Sequence, residues 1–198
     1  QVPAIGLVVL TISVAILAMT QTPSATVLWP RWVAIFSLAW WLPGVLLIAL
    51  WQLRDLDLPT AMVLSIALGL CWMILLLLFI HWWPGQIELW AMIAIYAGGA
   101  LALIAAVAWR RPAALRPTPP STWGWLLAML VLAGFLRLPG LGYHEFHIDE
   151  VLVLTRARDA IRGEDDAFAR HTKGPGELAI ATVLYRTLGT ANEETARF

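Results

Sequence analysis

Residues 61–82 read AMVLSIALGLCWMILLLLFIHW, a run with no charged side chain and no proline. As a helix it rises about 33 Å, and a bilayer core about 30 Å thick needs roughly 20 mostly apolar residues to cross it. The run therefore reads as a membrane-spanning helix. Residues 4–19 (with a short extension), 32–51 and 87–109 have the same character. A fifth stretch, 123–138, is shorter and follows the proline-rich run Arg116-Pro-Thr-Pro-Pro-Ser-Thr, where Thr122 is placed to cap it. A sixth, 176–189, is short for a span and carries Glu177 and Arg186. The expected fold is all-α: a polytopic transmembrane bundle of about six helices, with a short interfacial helix in an external loop.

Composition agrees. Hydrophobic residues make up 60% of the chain and charged residues 13%, and the mean hydropathy of +0.76 is more than a water-soluble fold hides. Zero formal net charge leaves no basic surplus for nucleic acid, so that class of partner is set aside. The lone Cys71 excludes an intrachain disulfide and reads as a small packed apolar side chain. No basic segment precedes the opening apolar run and no cleavage site follows it, so it reads as a retained helix. The chain begins at Gln1 and reaches Phe198 without a polar tail, as a portion of a longer product would.

Three regions are expected: a leading four-helix block over 1–111, a proline-rich cytoplasmic linker over 112–122, and a region over 123–198 that holds most of the charge. Of the twelve tryptophans, Trp29, Trp32, Trp51, Trp82, Trp83, Trp109 and Trp123 fall at expected helix ends. This reads as an aromatic belt at the headgroup level. Arg54 lies in one connection and Arg110, Arg111 and Arg116 in another, and the positive-inside rule then places those connections and the N-terminus in the cytoplasm. Gln86 and the stretch 140–173 fall on the opposite side. Only Arg31 points the other way.

Within 140–173, Val151, Leu152, Leu154 and Ile161 alternate with Arg156, Arg158, Asp159 and Arg162 before Gly163. The pattern predicts a surface helix that starts at Asp149 and ends on a glycine cap. His147-Ile-Asp149-Glu150 opens it. A carboxylate there is suited to act as a general base beside the membrane, and equally suited to a helix N-terminus, where acids gain about 0.3 to 1 kcal/mol. His171-Thr-Lys173-Gly-Pro-Gly precedes the sixth helix. Lysine beside the free N–H groups of a helix start makes an anion site, though a snorkelling interfacial lysine has the same sequence signature. His144 and His147 with Asp149 and Glu150 offer the donor types of a divalent metal site, but this loop alone does not close a coordination set. His81, beside Trp82 and Trp83, is read as an interfacial residue ahead of an axial ligand to a pigment.

The run Phe135-Leu-Arg-Leu-Pro-Gly-Leu-Gly, then Asp149-Glu150, the stretch 157–163, Lys173-Gly-Pro-Gly-Glu-Leu, Leu188-Gly189 and Ala196-Arg197 resembles the opening of the GT-C superfamily of membrane glycosyltransferases. The nearest branches are the protein O-mannosyltransferases and the aminoarabinose transferases that modify lipid A. The resemblance covers about residues 123–198, and Gly174-Pro175-Gly176 stands where the family has a double proline. It implies that Asp149 is the catalytic aspartate, that Glu150 is its companion, and that Lys173 lies near the donor phosphate. His171 and Arg137 join it as candidate substrate-binding residues, Arg137 without an assigned role.

The function so implied is transfer of a sugar from an isoprenoid-phosphate donor to an acceptor hydroxyl on the external face, in the bacterial cytoplasmic membrane. The implied partners are the lipid-linked sugar and membrane lipids; no cofactor is assigned. The alternative is a small non-catalytic membrane subunit, a truncated relative of such an enzyme, packed in a larger complex with other membrane subunits and touching pigments or quinones.

Overall fold

The computed structural model describes residues 2–20, 25–53, 56–110, 124, 127–129, 131–132, 148–164, 166–169 and 175–188, with 25–28 and 148–150 described in backbone only. Every element among them is helical and no β-strand is present. They are α1 (Val2–Met19), α2 (Ala25–Ile35), a π-helical turn (Phe36–Trp41), α3 (Leu42–Trp51), α4 (Leu58–His81), α5 (Leu89–Arg110), α6 (Ile148–Ile161) and α7 (Pro175–Leu188). Four helices are long and apolar enough to cross a membrane: Val2–Met19, Trp29–Trp51, Leu58–His81 and Leu89–Arg110. The all-α bundle expected from the sequence is present, and the protein is a membrane protein.

α2, the π-helical turn and α3 form one continuous rod at the centre of the bundle, in contact with α1, α4 and α5. The irregular turn has a local cause. Pro43 has no N–H to donate, and its ring collides with the carbonyl four residues back in a regular helix. Widening the preceding turn relieves the clash, and the Leu42 N–H reaches the Ser37 carbonyl, five residues back.

α4 lies antiparallel to this rod and presents Ala61, Ser65, Gly69, Met73 and Leu77, one residue every fourth position, as its buried row. Small residues in that row let the backbones touch, the usual means of helix association where lipid removes the hydrophobic drive. The Trp40 indole donates to the Ile66 carbonyl at 2.9 Å, and the buried Tyr96 hydroxyl of α5 donates to the Met73 carbonyl at 3.0 Å. Cys71 faces outward on α4, so the packed environment expected for it is not found.

The α1–α2 and α4–α5 connections define one end of the bundle, called here the upper end. At the lower end the Gln52 side chain at the end of α3 donates to the Arg110 carbonyl at the end of α5. Trp29, Trp82, Trp83 and Trp90 are exposed at the upper end, Trp51 and Trp109 at the lower. Trp90 and Trp109 stand 19 residues apart on α5, about 28 Å along its axis and close to the thickness of a bilayer core. Trp32 departs from the belt expected of it: it is partly buried and stacks on Phe36 at 5.3 Å, within an aromatic row that continues to Trp40. Trp123 lies outside the described residues. Of the expected fifth helix, residues 124, 127–129 and 131–132 are helical and exposed.

Candidate functional site at the upper end of the bundle

α6 forms where expected and stops as expected. Gly163 takes φ +84°, its N–H donates to the Ala160 carbonyl, and the Glu164 N–H donates to the Asp159 carbonyl. This pair of bonds is a Schellman cap, which needs a left-handed residue that glycine adopts without strain. Glycine has a second reason to be there. A Cβ on Gly163 would stand 2.3 Å from the Gly85 carbonyl oxygen, so the end of α6 lies directly on the α4–α5 turn. The Ile87 N–H donates to the Ile161 carbonyl at 3.0 Å and completes the join.

The seam of α6 differs from the one its pattern predicts. Val153, Ala157 and Ala160 are buried, whereas Val151 and Leu152 are exposed. Small residues there let α6 sit close against α7.

α7 forms where the sixth helix is expected, and its described residues are short for a span, as the sequence indicates. Its 14 residues rise about 21 Å, short of a bilayer core. Gly176 at its start lies beside Ile74, where an added Cβ would meet Cδ1 at 3.6 Å; Arg186 near its end donates to the Ile87 carbonyl and pairs with Glu88 at 2.9 Å. Thus α7 runs in the same sense as α4, from the level of Ile74 up to the turn that follows α4. Ile74 lies seven residues, about 10 Å, below the end of α4. Buried Leu178, Ala179, Thr182 and Val183 seat α7 in the bundle, where it touches α2 and α4. Burial pushes the Tyr185 phenol up to about 12, so it stays protonated and supplies no base near neutral pH.

The connection between α6 and α7 is anchored by Phe168, which meets His81 edge-on at 4.8 Å between ring centres. Both ring nitrogens of His81 are buried without a hydrogen-bond partner among the described residues. On α2, Arg31 is buried, and its Nη1 donates to the Thr20 carbonyl just past the end of α1.

Asp149 and Glu150 fall in the first turn of α6. Arg137, His144, His147, His171 and Lys173 lie outside the described residues. The C-terminal ends of α6 and α7 converge on Ile87, and both helices extend away from it toward their N-termini. Asp149 and Glu150 sit at one of those N-termini; Pro175, immediately after the His171-Thr-Lys173-Gly run, begins the other. Among the described residues no three His, Cys, Asp or Glu side chains gather as a metal site would require.

Sequence reasoning did not find the Arg186–Glu88 pair, the Gly163–Gly85 contact or the His81–Phe168 contact. Each joins segments far apart in the chain, and only Arg186, a charge inside a short apolar helix, left a sign. No family model matches the chain, and no curated protein or solved structure matches it.

Proposed function

We propose that this chain belongs to a multi-pass enzyme of the bacterial cytoplasmic membrane that transfers a sugar from an isoprenoid-phosphate donor to an acceptor hydroxyl at the upper, external end of the bundle. Asp149 takes the acceptor proton as the sugar leaves its phosphate, with Glu150 as its companion. Lys173, with His171 and Arg137, serves the donor phosphate.

One observation carries the reading: α6 and α7 are both anchored by their C-terminal ends to the α4–α5 turn, through Ile161–Ile87 and Arg186–Ile87. That anchorage ties two helices to the upper end of a membrane bundle by their C-termini, with their N-termini about 21 Å away along each helix. One opens with adjacent carboxylates, and in sequence a lysine precedes the other, whose N-terminal dipole favours an anion. The arrangement suits a donor whose isoprenoid tail stays in lipid while its phosphate and sugar reach the bundle's end.

The test is Asp149→Asn in the gene product, assayed for turnover of isoprenoid-phosphate sugars in membranes. Asparagine keeps the shape and the helix-start preference but not the base. Loss of turnover at normal expression is the expected result. Full turnover would remove Asp149 from catalysis and leave the non-catalytic subunit as the better reading.

A further inference from the structure

Arg31 is the one basic residue that opposed the charge bias of the connections. In the structure it is not in a connection at all: it lies in α2, 2% exposed. A guanidinium stays charged at any physiological pH, and enclosing it without a counter-charge is strongly unfavourable. Among the described residues no carboxylate lies within ion-pair distance of it. Among the described residues its Nη1 donates to the Thr20 carbonyl, at the partly negative end of α1, and its Nε finds no partner. Water would satisfy the free donor without supplying a counter-charge.

We infer that Arg31 binds a phosphate-bearing anion at the upper end of the bundle, and that the source is the headgroup of an anionic membrane lipid. The level is right for a headgroup. Arg31 stands two residues below the exposed Trp29, at the end of the bundle that also carries exposed Trp82, Trp83 and Trp90. A phosphate matches the fork of guanidinium donors. The inference is independent of the transferase reading, since α2 lies outside the stretch that carries the family resemblance.

The test uses the purified full chain in nanodiscs of phosphatidylcholine alone, of phosphatidylcholine with phosphatidylglycerol, and of phosphatidylcholine with added inorganic phosphate, read by thermal unfolding. A ligand bound only by the folded state raises the melting temperature. Wild type is expected to gain several degrees with phosphatidylglycerol, Arg31→Lys part of that gain and Arg31→Met none, while Arg110→Met at the lower end keeps it all. An Arg31-dependent gain from inorganic phosphate alone would support the anion site and name a soluble anion as its source. The same gain in Arg31→Met as in wild type, or no gain in wild type from either anion, would overturn the site and leave Arg31 as a cap on α1. Should Arg31→Met not fold, Arg31→Lys, which keeps the charge but loses the guanidinium fork, is expected to retain phosphatidylglycerol more weakly than wild type by native mass spectrometry. Unchanged retention there would equally overturn the site.

Discussion

A Cβ built on Gly44 would stand 1.8 Å from the carbonyl oxygen of Ser65, and one built on Gly69 would stand 1.8 Å from the carbonyl oxygen of Trp40. The two contacts are reciprocal, four residues apart on each antiparallel helix, and they set how closely α3 and α4 approach. Both neighbours are backbone, which has no rotamer to yield. Gly44→Ala and Gly69→Ala should each cost stability at or above the upper end of the ~1–3 kcal/mol of an overpacked core. Gly98 has nothing within 4 Å of an added Cβ, so Gly98→Ala should be neutral or gain about 0.5 kcal/mol. Thermal unfolding in one detergent compares the three; a wild-type melting temperature in Gly44→Ala would refute the contact.

The tie between α7 and the α4–α5 turn should be uneven under mutation. Glu88 is largely exposed, so its ion pair with Arg186 is screened and Glu88→Gln should cost under about 1 kcal/mol. Arg186 also serves the Ile87 carbonyl, and Arg186→Ala should cost about 1–3 kcal/mol. Limited proteolysis within 164–174 reads the difference, with faster cleavage expected in Arg186→Ala alone. Equal effects would mean that the Ile87 bond contributes nothing.

His81 and Phe168 give opposite expectations. Phe168→Ala removes a buried ring from its contact with His81 and should cost about 3 kcal/mol or more. His81→Phe keeps a ring against Phe168 and removes two buried nitrogens that have no partners among the described residues, so stability should hold or rise. A large loss in His81→Phe would show that those nitrogens are used.

Gln86 and Glu164 are both exposed, and the segments that hold them are joined by the Ile87–Ile161 bond. In a Cys71→Ala background, single cysteines at 86 and 164 should react with a membrane-impermeant reagent from one and the same side, the external side by the positive-inside count. Labelling from opposite sides would break the fold; labelling of both from the cytoplasm would invert its orientation.

The four long helices were legible because a bilayer imposes a length and a composition on each span, and both are properties of local sequence. The stop of α6 at Gly163 was legible for the same kind of reason, since a helix C-terminus selects glycine locally. The candidate carboxylates Asp149 and Glu150 could be placed at a helix start from pattern alone. Pairings at long range could not. That α7 begins beside Ile74, that Gly163 lies on Gly85, that Arg31 leaves solvent for the bundle interior, and that Cys71 faces outward each depend on which helices meet and at what height. Apolar helices in lipid carry little periodic signal of which face is buried, because a lipid-facing side chain and a packed one are both apolar. The amino-acid sequence by itself determined that this chain enters a membrane as helices; only tertiary packing, through small residues and a few polar ties, decided how those helices meet and which polar groups gather at the upper end.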